Sequence, residues 1–350
     1  MEREQRLRAE TAAVWATAIC FAVGAGVGIL LFLGAPRPLT GPGSVALPAA
    51  AVAGVVAAAA FVTSSLRFRR GETAPMPPWQ TAVSLVSTGA LTVAFACVTA
   101  MGVLLTTEVL AVGLQGIALG PLGGGILTGV AAALGGRFAF GAGVGLRTAD
   151  LSGILFGYLV IGTLFAMVTA ADPRWWERNF SQLGVGDGAW AFNGTLVVAG
   201  LLIATVGSYI GRDLHRLLGD PALGRIAVVV LLWALTGLAL AAVGLLPLHR
   251  AFLGHNIAAG ATLLLLVAAA TVTTALVPGR PRALLITTVG VGALIVAAVL
   301  VTLFGVLTIT ALEAVVVGLG LLWMTTLVRV LAVLAPDESR PSARVTLRRA

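Results

Sequence analysis

The sequence predicts an all-α fold: a polytopic integral membrane helical bundle of about ten transmembrane helices, N-in and C-in. Three observations predict it. Mean hydropathy is +1.03 over 350 residues, with 59% hydrophobic and 10% charged, whereas a soluble domain carries about 25% charged residues. Apolar runs long enough to cross the ~30 Å hydrocarbon core as helices recur along the whole chain. The arginines between those runs fall mostly on alternate connectors, the asymmetry expected of a membrane protein with cytoplasmic termini.

The runs lie near 11–33, 45–65, 80–105, 109–133, 151–170, 190–210, 226–246, 256–277, 284–304 and 308–331. The first exceeds the roughly 7–15-residue core of a secretory signal, and no A-x-A pattern follows, so it reads as a span. The fourth carries Gln115, Pro121 and several glycines in "GLQGIALGPLGGG". A re-entrant loop there would put the arginine-rich 211–225 and 280–282 segments outside, so a full span is the better reading. With the N-terminus inside, only Arg37, Arg174, Arg178 and Arg250 of the 22 arginines fall outside. Arg69, Arg70, Arg340, Arg344, Arg348 and Arg349 are among those inside.

The expected organisation is a four-helix membrane module over 1–150, a six-helix membrane domain over 151–335 and a cytoplasmic tail over 336–350. The unequal split gives no pair of matched inverted halves. Gly24 and Gly28, Gly116 and Gly120, and Gly125 and Gly129 stand four apart, the spacing that lets helix backbones approach in lipid. "GAGVG" at 141–145 falls in a glycine-rich cytoplasmic loop, 135–150, with no preceding strand, so packing and loop flexibility explain it better than a nucleotide site.

Composition also excludes. All 22 basic residues are arginine; without lysine there is neither a Walker phosphate loop nor a pyridoxal Schiff base. The net charge of +8 is spread between apolar segments, which orients a chain in a bilayer and does not make a nucleic-acid face. Cys20 and Cys97 lie inside apolar runs, and no CxxC or HExxH spacing occurs. Neither a cofactor nor a resident metal is expected.

Polar residues gather instead on the outer side. "ADPRWWERNFSQLG", 171–184, joins the fifth and sixth spans. Asp172 reads as a helix N-cap, Pro173 as the first helical residue and Gly184 as the stop. The spacing puts Trp176, Phe180 and Leu183 on one face of a short amphipathic helix lying in the headgroup zone, with Trp175 and Trp176 as interfacial anchors. Asn193 follows just inside the sixth span. "LPLHRAFLGHNIAAG" supplies His249, Arg250, His255 and Asn256, Glu108 stands at the start of the fourth span, and Glu313 lies inside the last. A carboxylate inside a span is costly and takes a partner; His255, at similar depth, is the expected one. His249 and His255, six apart, do not form an i, i+4 zinc pair. His215, in "GRDLHRLLGD", reads as a solvated loop histidine.

The stretches "DPRWWERNFSQLG", "FNGTLVVAGLL", "VGLLP" followed by "HNIAAG", and the glutamate Glu313 resemble, in that order, a bacterial membrane family catalogued as domain of unknown function 998, in its actinobacterial form. The resemblance covers about 151–335 and leaves the first four spans as an added module. It implies a six-helix membrane domain without an established reaction. A distant similarity to six-span eukaryotic autophagy modulators implies a lipid-related role. The matching positions are Asn179, Ser181, Gly184, Asn193, His255, Asn256 and Glu313.

The favoured expectation is a non-enzymatic protein of the bacterial plasma membrane, its partners membrane lipids. An outer-leaflet polar pocket of Asp172, Asn179, Ser181, Asn193, His255, Asn256 and Glu313 would bind or sense a lipid or small amphiphile. The alternative is a secondary transporter or proton-coupled permease, suited by ten helices and a membrane-embedded glutamate. A third reading is a metal-dependent lipid hydrolase using Asp172, His249, His255 and Glu313.

Overall fold

The structure is a computed structural model that describes residues 2–68 and 78–335. Arg69, Arg70, the four arginines from Arg340 to Arg349 and the whole tail 336–350 lie outside the described residues. Of the described residues 83% are helical, and ten helices among them are long and apolar enough to cross a membrane. They are α1 (Glu2–Leu31), α2 (Ala46–Phe68), α3 (Pro78–Gly113), α4 (Pro121–Gly145), α5 (Thr148–Val168), α6 (Ala189–Leu218), α7 (Leu223–Leu245), α8 (Phe252–Leu276), α9 (Arg282–Leu303) and α10 (Ile309–Leu334). A two-residue antiparallel ladder pairs β1 (Arg37–Pro38) with β2 (Ala118–Leu119). Large apolar side chains such as Leu85, Leu264, Ile286 and Val333 are exposed, as lipid-facing side chains are; the described helices make a multi-pass membrane protein.

In the first four helices two boundaries differ from the sequence reading. Helix α3 runs on to Gly113, so Glu108 lies near its end and not at the start of the next span. Helix α4 covers 121–145, beginning at Pro121 behind the extended Gly120 and running through "GAGVG", which is its last turn and not a loop. Proline at a helix start gives up an amide that would lack a partner in any case. Gly116, at φ +76°, turns the chain ahead of β2. Gly116 and Gly120 therefore belong to a connector, and neither has a neighbour where its side chain would stand.

Contacts divide the chain into two compact units, Met1–Arg70 with Thr88–Leu146, and Gly71–Ser87 with Arg147–Ala350. In the first, α1 and α2 both pack on α4. Gly24 and Gly28 of α1 meet Gly125 and Gly129 of α4 as the spacing predicts: a methyl group on Gly28 would stand 2.9 Å from Thr128 Cβ and 3.0 Å from Gly125 Cα.

In the second unit each of α5 to α10 contacts the next, and α10 returns to α5 and α6. Connectors of a few residues after α6, α7, α8 and α9 make neighbours antiparallel. One end therefore carries the long α5–α6 connector with the starts of α6, α8 and α10; it is called the connector face below. The tightest crossing is α6 on α7. A methyl group on Gly200 would collide with the carbonyl oxygen of Gly237, and one on Gly237 with that of Gly200. Lipid gives helices no hydrophobic reason to associate, so close backbone packing supplies the adhesion. Gly237→Leu is expected to lower the thermal midpoint of the detergent-purified protein by several degrees. Overpacking costs roughly 1–3 kcal/mol, and each kcal/mol moves a domain of this size by about 2–4 °C. Gly260→Leu, at a position with open space around it, should stay within about 1 °C in the same heated size-exclusion measurement.

Candidate functional site

The connector 171–188 is not a helix. Asp172 opens a turn, its Oδ1 accepting the Arg174 amide at 2.9 Å. Two short 3-10 turns follow, Trp175–Glu177 and Phe180–Gly184, broken at Arg178 and Asn179. Asn179 is fully extended, and the reason lies one residue on. The Phe180 amide donates to Glu313 Oε2 of α10 at 2.7 Å. A carboxylate in an apolar helix needs a donor, and taking a backbone amide removes that amide from any continuous helix. The predicted face of Trp176, Phe180 and Leu183 is therefore broken: Leu183 is buried, Trp176 is 56% exposed, and Trp175 packs on Phe180 with tilted rings, their centres 5.1 Å apart.

Four hydrogen bonds hold this strap to three helices. Besides the Glu313 bond, Thr310 Oγ1 of α10 donates to the Trp176 carbonyl at 2.8 Å, Asn193 Nδ2 of α6 donates to the Gly184 carbonyl at 3.2 Å, and His255 Nε2 of α8 lies 2.8 Å from Ser181 Oγ. Gly184 is required there, because a side chain would strike Asn193. His255 is 2% exposed, and its Nδ1 lies 2.8 Å from the Leu246 carbonyl. A carbonyl only accepts, so Nδ1 donates to it, and Nε2 shares the second hydrogen bond with the Ser181 hydroxyl.

Of the residues expected to form the pocket, Asn179, Ser181, Asn193, His255 and Glu313 thus come together around the strap. Asp172 and Asn256 do not join them: Asp172 caps its own turn, and Asn256 is exposed, donating to the Phe252 carbonyl one turn back. Glu313 and His255 are not partners; they hold consecutive strap residues, Phe180 and Ser181. The donor set of the hydrolase reading is not assembled either. His249 is exposed, both ring nitrogens of His255 are engaged, and among the described residues no three His, Cys, Asp or Glu side chains lie close enough to share a metal ion.

His215 also corrects the sequence reading. Helix α6 runs to Leu218, two turns past its expected end, so His215 stands 2% exposed in the last helical turn. Its Nε2 lies 2.7 Å from Asp220 Oδ1, beyond the Gly219 turn at φ +68°.

One set of polar contacts went unread. Trp233 Nε1 of α7 donates to Thr273 of α8 at 3.1 Å, Thr274 of α8 and Thr288 of α9 share a hydrogen bond of 2.8 Å, and Trp323 Nε1 of α10 donates to Thr288 at 2.8 Å. The two indoles stack at 5.9 Å. This chain links four helices. Its only sequence signal is tryptophan far from the span ends where interfacial tryptophans gather.

The comparisons agree with the resemblance read from the sequence. Residues 151–330 match the family described as a protein of unknown function, DUF998. No curated protein matches the chain, and no solved structure does.

Glu313→Leu strands the Phe180 amide, and His255→Ala strands the Ser181 hydroxyl. Both variants should speed tryptic cleavage after Arg178 several-fold, since each lost membrane-protein hydrogen bond is worth roughly 0.6–1.7 kcal/mol. Glu313→Gln keeps an acceptor and should retain most of the protection. Unchanged cleavage in all three would mean that these bonds do not hold the strap.

Proposed function

The chain belongs to the DUF998 family of proteins of unknown function, and on that premise we propose a non-enzymatic membrane protein that binds or senses a lipid or small amphiphile at its connector face. The observation that carries this reading is Asn179. Its side-chain Oδ1 is buried without a hydrogen-bond partner, in the residue next to the Phe180–Glu313 bond. Buried acceptors are ordinarily satisfied, and leaving one unmet costs about 1–3 kcal/mol. A headgroup hydroxyl or ammonium is a donor that would meet it.

The surroundings suit such a ligand. Arg174 and Arg178 are exposed on the strap and would face a headgroup phosphate. Trp176 and Trp190, 56% and 53% exposed, are amphipathic rings suited to the headgroup level. Because the strap is tied to α6, α8 and α10, a lipid that shifts it acts directly on three helices. This reading puts the strap on the outer face of a bacterial plasma membrane and both termini in the cytoplasm. Arg147, Arg212, Arg216, Arg225, Arg280 and Arg282, at or near the opposite ends of these helices, support that orientation. It also treats residues 1–150 as a four-helix module added to the six-helix domain.

A photoactivatable phosphatidylethanolamine incorporated with the protein into nanodiscs is expected to crosslink within 172–190. Asn179→Leu, which removes the acceptor, should reduce that yield about five-fold while leaving crosslinks to lipid-facing positions of α9 unchanged. Yields in the strap no higher than those on α9, or indifferent to Asn179→Leu, would overturn the reading.

A further inference from the structure

A cleft at the other end of the six-helix unit belongs to none of this. It measures about 240 Å³ and is lined by Arg147, Thr148, Ala149, Arg212, Asp213, Ala332 and Ala335, so it lies where α5 begins and where α6 and α10 end. That volume is below the roughly 300–1,000 Å³ of drug-sized sites but several times the ~30 Å³ share of one water molecule. It suits one small polyatomic group.

Among the described residues, the charged side chains in and around the cleft are Arg147, Asp150, Arg212, Asp213 and Arg216, three cations to two anions. Asp213 accepts the Thr148 hydroxyl and lies 3.5 Å from Arg216 NH1. Arg147 is bonded through its side chain and its amide to Asp150, at 3.0–3.3 Å. Arg212 lines the cleft with its guanidinium 4.2 Å from the Tyr209 ring centre, and its Nε is buried without a hydrogen-bond partner. Arginine presents a rigid fork of donors that matches an oxyanion. Helix α5 starts at the cleft, its N-cap Arg147 in a capping box with Asp150, and its first-turn amides carry the positive end of the helix dipole.

We propose that this cleft is a phosphate-binding site, with Arg212 and Arg147 as the anion ligands and the α5 N-terminus behind them. The phosphate is that of an anionic lipid headgroup or of a free ion. The site is independent of the strap and of any ligand there.

The test uses the full chain purified in neutral detergent and two probes, phosphatidylglycerol read by native mass spectrometry and inorganic phosphate read as a thermal shift. Retention of phosphatidylglycerol over phosphatidylcholine, falling about ten-fold in R212Q and R147Q but not in R282Q, identifies a headgroup site. A thermal shift with phosphate that R212Q and R147Q abolish, without lipid retention, identifies a free-anion site. R282Q removes the same charge from an exposed position at the same end of the bundle, so an equal loss in R282Q would mean diffuse charge attraction and overturn the proposal, as would no response to either probe. R212K, which keeps the charge and loses the fork, should fall between wild type and R212Q. If R212Q fails to fold, R147Q against R282Q gives the same decision.

Discussion

Hydrocarbon offers no hydrogen-bond partner, so every polar group that enters the membrane must be answered from within the protein. This constraint shapes the molecule at each level. It makes the described chain almost wholly helical. It explains why threonines in the spans turn their hydroxyls to the carbonyl one turn back, as Thr128, Thr195, Thr205 and Thr236 do. It also fixes the connector. Glu313 takes the Phe180 amide, the chain at Asn179 is pulled straight, and a stretch that could have been one amphipathic helix becomes two short turns across three helix ends.

The same constraint decides how helices adhere. With lipid as apolar as any side chain, close contact and buried hydrogen bonds replace the hydrophobic effect. The six-helix unit uses both. Gly200 and Gly237 bring α6 and α7 into backbone contact. The indoles of Trp233 and Trp323, with Thr273, Thr274 and Thr288, tie α7 through α10. Helix α9 depends on this second device, because few of its side chains are buried while Thr288 meets both α8 and α10.

The two ends of the six-helix unit differ in how their polar groups are satisfied. At the connector face Ser181, Asn193, His255, Thr310 and Glu313 all bond within the protein, and the buried Asn179 Oδ1 stands apart. At the other end Asp213, His215 and Asp220 are hydrogen-bonded within the protein, and Arg212 carries the unmatched group. In each place, among the described residues, the exception is a single atom beside a set of completed contacts.

The sequence by itself determined the class of the protein, the number of spans and the helix-packing glycines of α1 and α4, because hydrocarbon thickness, hydropathy and four-residue spacing are local quantities. It also pointed to a known family over about residues 151–335 and to Glu313 as a carboxylate in need of a partner. Only the tertiary structure decided what that partner was. Depth along a helix does not give the rotation of one helix against another, so His255 looked like the partner when the answer was a backbone amide 133 residues away. The same limit hid the Trp233–Thr273 and Thr288–Trp323 contacts, since a threonine that can satisfy itself on its own helix gives no sign of which neighbour it faces. His215 was misread for a related reason: the length of α6 decided its burial, and that helix continues past the apolar run that announced it.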